Sequence, residues 1–362
     1  MNKFFILVLE IAVITCARPP LLPAQESDGE QVLKSYLYTF PDRVQGVHDT
    51  GVDWTIRVGD RTFYWAGGRL LPQELLQRGN LDWQKYRPHS FGVYPLTVPD
   101  PRDYSAEEIE ALRIEGSAEA RLEADDTNRD FQAALYGGIT RAEVERNLVR
   151  VTFLGKSIVV HTLITEALDR VDRAIRNAAE QDRETAAFIA SIGSIGCYNW
   201  RDIRGTQRMS YHSWGLAVDI QPGNLGNRAI YWLWERVYNA DWMLVPPAQR
   251  WNPPDAVVRA FENEGFIWGG KWSLYDNMHF EFRPEQHELN RLLLASGQGE
   301  INIIKSENMP DLHHIYPGTE TAKTPGPKIR GLIERIRGLP TAIHRTWSAF
   351  YQSALDFFNN TL

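Results

Sequence analysis

The stretch Ser210-Tyr211-His212-Ser213-Trp214-Gly215-Leu216-Ala217-Val218-Asp219 constrains the fold more than any other part of the chain. It sets a histidine and an aspartate seven residues apart, with a glycine between them. Two donors that share one zinc each sit about 2 Å from it, hence within roughly 3.5 Å of each other. Fully extended at about 3.3 Å per residue, the segment would hold those side chains roughly 23 Å apart. A shared metal therefore demands that the chain fold back, and Gly215 can turn there without a Cβ penalty. Beyond it, Leu216, Val218 and Ile220 alternate with Ala217 and Asp219, the period of a strand whose large apolar face enters the core. Asp219 then emerges beside the small Ala217, where an ion has room. Without a metal, the same stretch reads as a buried strand next to a surface histidine.

The chain around it has 362 residues, 43% of them hydrophobic. That is long enough for one good-sized core and a second unit or substantial extensions. A net charge of −7 argues against a general nucleic-acid binder, and no nucleic-acid partner is expected. Lys3 and the apolar run Phe4–Ile14, interrupted by Glu10, resemble a secretory signal over residues 1–24, with cleavage near Ala17 or Ala24. The run is shorter than the roughly 20 residues that cross a bilayer. Cys16 at its end suggests a lipid anchor as an alternative fate. Cys16 and Cys197 are the two cysteines of the sequence, so loss or lipidation of the first leaves no disulfide. Cysteine is also too scarce to build a metal site, which leaves His, Asp and Glu.

Along the chain, residues 25–50 are polar and mixed and read as a linker. Trp54–Val58 and Arg61–Trp65 form an expected hairpin around Gly59-Asp60, a pair suited to a type II′ turn. Ser105 would cap a charged helix running to about Ala124. Residues 25–128 thus make an N-terminal extension. From there, Leu148–Phe153 and Ser157–Val160 read as strands around Gly155-Lys156, and Leu163 to Ala178 as an amphipathic helix of about 20 residues. Ile192–Trp200 is a strand candidate, Tyr231–Trp234 a short helix, and Pro254 opens a helix that stops at Gly265. Phe266–Trp272 is a strand and turn, and Asp276–Phe282 a final strand ended by Pro284. This order predicts an α+β domain over 129–290, a small antiparallel sheet with flanking helices. Residues 291–362 make a linker and a C-terminal amphipathic helix carrying Ile343, Trp347, Phe350 and Phe358. That helix either docks on the domain or associates with a membrane or partner.

A catalytic zinc needs three protein donors and an open position. His212 and Asp219 give two, and Asp276-x-x-His279 is the best source of a third, with a carboxylate left over. In the terminal strand His279 and Glu281 share one face, Phe280 and Phe282 the other. Paired antiparallel beside the Asp219 strand, His279 would meet Asp219 across the ladder. Asp276 would then stand at the strand mouth, within reach of the zinc-bound water. Zinc lowers the pKa of that water to about 7, and a carboxylate beside it takes the proton and hands it to the leaving amine.

Ser-x-His-x-x-Gly-x-Ala-x-Asp at 210–219 with Asp-x-x-His at 276–279 resembles the zinc D-alanyl-D-alanine carboxypeptidases of the vancomycin-resistance type. L-alanyl-D-glutamate endopeptidases are similar, and the same fold recurs in hedgehog signalling domains. The resemblance covers about residues 129–290 and implies a hedgehog/DD-peptidase-like fold. It implies His212, Asp219 and His279 as ligands of one Zn2+ and Asp276 as catalytic base. It also implies an arginine on the preceding strand, here Arg201 or, three residues on, Arg204. The expected substrate is a peptidoglycan stem peptide, and the expected location the periplasm or cell envelope of a bacterium, with membrane association through Cys16 or the C-terminal helix. Ser210, Tyr211 and Trp272 are weaker candidates for lining the site, and Glu281 for orienting a ligand histidine. His161, which opens a helix, reads as structural, and Cys197 as a small buried apolar residue. A non-catalytic zinc-binding module of the same fold and a zinc amidohydrolase acting on another small amide remain as alternatives.

Overall fold

The computed structural model describes residues 26–78, 94–122, 128–204 and 208–296. The signal segment with Cys16 and the C-terminal helical pattern lie outside these described residues. Residues 25–50, expected as a linker, instead hold the helix Glu26–Thr39 and strand β1 (Val44–Asp49). Val32, Leu33 and Tyr36, with Phe40 just beyond the helix, are all buried, although polar residues between them mask the helical spacing. Strands β2 (Trp54–Val58) and β3 (Arg61–Tyr64) form the anticipated hairpin. Gly59 takes φ +61° at its first turn position, the conformation a type II′ turn requires. Strand β4 (Leu71–Pro72) completes an antiparallel meander in the order β1-β2-β3-β4.

Ser105 caps the helix Ala106–Glu115 through a reciprocal capping box with Glu108. The helix stops there rather than at Ala124, because Ser117 starts a new one (Ala118–Leu122) by accepting a hydrogen bond from Ala120 N at 3.1 Å. Strands β5 (Leu148–Phe153) and β6 (Lys156–His161) pair as a hairpin whose turn is Leu154-Gly155, one residue earlier than the sequence suggests. Both turn residues have positive φ. The amphipathic helix spans Thr165–Ala179 and buries Ala167, Leu168, Val171 and Ile175. A further helix, Arg183–Ser191, is capped by Asp182, whose carboxylate accepts from Glu184 N and Thr185 N.

Strands β7 (Ile192–Gly196), β8 (Ala217–Pro222), β9 (Phe266–Trp268) and β10 (His279–Phe282) make a second antiparallel sheet in the order β7-β8-β10-β9. The helix Asp255–Glu262 covers it with Val257, Val258 and Phe261, and Phe261 stacks on Phe280 at 3.9 Å between ring centroids. Pro284 then opens a helix to Ser296 that packs along Glu26–Thr39. One apolar cluster runs from Leu33 and Phe63 through Phe131 and Tyr136 to Phe261 and Phe280, so the two sheets share a core. Each large apolar side chain buried there contributes about 1.5–3 kcal/mol. The architecture is α+β with small antiparallel sheets.

Candidate metal centre

Local backbone constraints shape the loop that carries His212. Ser210 caps a 3₁₀ turn, Tyr211–Trp214, by accepting from His212 N at 3.3 Å. Gly215 ends it with φ +68°, and a Cβ there would lie 2.9 Å from His161 N, so both the conformation and the space exclude a side chain. The chain turns back at this glycine into β8, where Val218 and Ile220, with Leu216 just before the strand, are fully buried and Asp219 lies on the opposite face. Ser213, completely buried, donates from Oγ to Arg201 O at 2.7 Å and accepts from Arg201 N at 2.9 Å. It ties the ligand loop to the segment that presents Arg201.

The third donor arrives across the sheet. His279 pairs with Asp219 in the β10–β8 register. Its Nδ1 lies 2.9 Å from Asp219 Oδ1, and His212 Nε2 lies 3.1 Å from that same oxygen. The three donor atoms lie within 4.8 Å of one another. The far side of each ring is already engaged: His212 Nδ1 is 2.6 Å from Cys197 O, and His279 Nε2 is 3.2 Å from Glu281 Oε2. Both partners are acceptors, so each ring donates its proton away from the centre and turns a lone pair toward Asp219 Oδ1. One carboxylate oxygen then faces two lone pairs, and a single cation satisfies all three atoms where one proton satisfies only two. The donor set of two nitrogens and a carboxylate oxygen suits zinc.

The electrostatics agree with that fit. Burial resists ionisation of Asp219, but with a second proton on each ring the His212 charge and hydrogen bonds from both imidazoles outweigh it and hold the carboxyl well below its usual range. Burial likewise disfavours charge on His279, yet hydrogen bonds to Asp219 and Glu281 hold its imidazole well above the usual value. A pocket that favours positive charge at this point complements a metal ion.

Asp276 stands at the mouth of β10. Its backbone N donates to Gly269 O at 2.9 Å, and its carbonyl accepts from His279 N at 3.2 Å. A Cβ on Gly269 would lie 2.6 Å from Asp276 O, so the close crossing of these two loops requires a glycine. Oδ1 of Asp276 is buried and has no hydrogen-bond partner among the described residues. Burial pushes its carboxyl up to about 7; the His279 charge opposes this, the Asp219 charge adds to it, and Arg201 opposes it. Three donors that fit one cation, with one carboxylate oxygen of Asp276 left without a hydrogen-bond partner beside them, are the decisive observation.

Residues 204–282 match the model of a family described as D-alanyl-D-alanine carboxypeptidase. This carboxypeptidase-like stretch contains His212, Asp219, Asp276 and His279, and Arg201 lies just upstream of it. A second match, at residues 32–91, is to a domain of unknown function, DUF8518, and includes the meander β1–β4. Comparison with curated proteins and with solved structures gives no match.

Within and around the carboxypeptidase-like stretch, the two candidate arginines differ. Both side chains are exposed, but the Arg201 charge acts on Asp276 and Tyr231, whereas the carbonyl of Arg204 accepts from Arg121 Nη2. The Trp272 ring lies 5.5 Å from His279, at the centre. The Tyr211 ring packs against Tyr136 and Trp214, behind His212. Glu281, on the same strand face, meets the His279 ring, its Oε2 lying 3.2 Å from His279 Nε2. His161 is structural: Nε2 donates to Tyr136 O at 2.9 Å, Nδ1 accepts from Leu163 N at 2.9 Å, and burial lowers its pKa to about 4. Cys197 is buried, and burial raises its thiol pKa far above the ordinary value. Sequence reasoning missed Ser213, although its place beside His212 was a usable signal. It also missed Tyr231, whose backbone bridges to Asp276 and whose hydroxyl is held protonated first by burial and then by the Asp276 charge. No sequence signal connects residues 45 positions apart in this way.

Proposed function

We propose that this chain is a zinc-dependent peptidase that hydrolyses a peptide bond in peptidoglycan stem peptides. The observation that carries the reading is the unpaired Oδ1 of Asp276, set beside three convergent donor atoms within a stretch that matches a carboxypeptidase family. His212 Nε2, Asp219 Oδ1 and His279 Nδ1 hold the ion. When bound, zinc supplies a Lewis acid that polarises a carbonyl and acidifies water. Asp276 accepts the proton of the attacking water and delivers it to the amine that leaves, a role suited to a carboxyl whose affinity for protons has been raised by burial. Arg201, exposed and with its backbone fixed by Ser213, anchors the substrate carbonyl or carboxylate. The leader-like run Phe4–Ile14 supports a place in the bacterial cell envelope, where such peptides are found.

A recognition module built on this fold needs the cation but has no use for a proton acceptor next to it, which is why Asp276 separates the two readings. Purified protein with zinc, incubated with isolated muropeptides, should yield shortened stem peptides by mass spectrometry. A chelator should stop the cleavage, and added zinc should restore it. Intact muropeptides after incubation with the fully metallated protein would overturn the peptidase reading, and the masses released would identify the bond.

A further inference from the structure

Three charged side chains beyond the metal donors form a buried row that the proposed chemistry does not use. The ladder of β10 continues one residue past its end, where Arg283 N donates to Gly265 O at 2.9 Å. The strand period therefore sets His279, Glu281 and Arg283 on one side. Arg283 is 1% exposed. Its Nη1 donates to Glu281 Oε1 at 3.0 Å, while the other oxygen of that carboxylate accepts from His279 Nε2 at 3.2 Å. With both oxygens held, the Glu281 carboxylate cannot rotate, and neither can the ring it orients. Nε of Arg283 donates to Glu285 Oε1, which fixes the guanidinium from its far side. The Cζ of that guanidinium lies over the ring of Tyr211, 4.8 Å from its centroid, and Tyr211 is the residue immediately before His212.

We propose that Arg283 is the positioning residue for both histidines of the centre: it reaches His279 through Glu281 and the His212 loop through the Tyr211 ring. The inference rests on the reading of His212, Asp219 and His279 as a metal centre. Arginine suits the task because its planar fork makes two directed hydrogen bonds while its face stacks on an aromatic ring, and a lysine ammonium cannot do both. Groups that orient metal-bound histidines typically change metal affinity by 10–100-fold when removed. An arginine placed only for folding would change stability and leave affinity alone.

The test measures zinc affinity by competition with a chromophoric chelator, and donor geometry by the visible absorption of the cobalt(II)-substituted protein. Arg283→Met should weaken zinc binding by about 10–100-fold and alter the cobalt spectrum. Arg283→Lys should fall between that variant and the unaltered chain. Removing a buried charge can also unfold a protein, because its partners are left uncompensated. Near-UV circular dichroism therefore establishes that each variant is folded, and Arg283→Lys carries the test if Arg283→Met does not fold. A folded Arg283 variant with zinc affinity within about twofold of the unaltered chain and an unchanged cobalt spectrum would overturn the inference, since a 10–100-fold effect is expected. If the unaltered chain binds zinc no better than His212→Ala, the metal-centre reading itself fails, which is a different result.

Discussion

The sheet β7-β8-β10-β9 and the sheet β1-β2-β3-β4 are both four-stranded and antiparallel, but they treat polar groups in opposite ways. In the N-terminal sheet, β1 alternates buried and exposed residues before emerging into solvent, and polar groups of the turn that follows it bond within that turn. Thr50 Oγ1 donates to Asp53 O, and Asp49 Oδ1 accepts from Gly51 N, each at 2.8 Å. In β10 all four residues are buried, so His279 and Glu281 cannot turn to water and must bond to each other and to Arg283. A polar group out of reach of water has to find protein partners. A polar disturbance in the turn after β1 has few bonds to travel along; one in β10 passes along a chain of bonds that ends at the candidate donors.

The largest effect that sharpens this contrast is chemical. Asp276→Ala should lower kcat by roughly 10²–10⁴-fold with about one zinc retained per chain, whereas His212→Ala should lose the zinc. Metal analysis alongside kinetics checks both, and loss of zinc from Asp276→Ala would make that residue part of the donor set. The same carboxyl predicts the pH profile. A base must be deprotonated, so kcat/KM should rise with pH and level off above about 7, and a nearby dication, which favours the carboxylate, moves that limb lower. Asp276→Ala should abolish the limb, and a limb that persists in the variant belongs to another group.

Core truncations come next. Phe280→Ala in β10 and Phe63→Ala in β3 remove fully buried rings and should each cost about 3–5 kcal/mol in urea denaturation. Only Phe280→Ala should also weaken zinc binding, because its neighbours in the strand are His279 and Glu281. Equal loss of zinc affinity in the two would erase the distinction between the sheets. The smallest effect is expected at Ser105→Ala, which removes one helix cap and should cost about 1 kcal/mol with zinc affinity unchanged.

Much of the candidate centre was legible in the sequence, because strand period and a single glycine fix where His212, Asp219 and His279 can meet. The hairpin at Gly59-Asp60 and the cap at Ser105 were legible for the same reason: each is decided by adjacent residues. What escaped depends on partners far along the chain. Helix Glu26–Thr39 reads as a polar linker until Pro284–Ser296 covers its apolar stripe. Tyr94 N donates to Asn290 Oδ1 at 2.9 Å, and Asn290 Nδ2 returns a bond to Tyr94 O, contacts that no window of sequence contains. Arg283 was passed over because one arginine after a strand looks like any solvated charge, and its role appears only once Tyr211 lies beneath it.

The clasp between helices Glu26–Thr39 and Pro284–Ser296 also governs when the molecule can mature. A growing polypeptide emerges from its N-terminal end, so the first helix can pack early on β1, β2 and Phe131, but the part of its surface that Pro284–Ser296 covers must wait until nearly the whole described chain has been made. His279 appears only at that late stage. The three candidate donors therefore come together late in synthesis, and the part of the first helix that Pro284–Ser296 covers stays available until then.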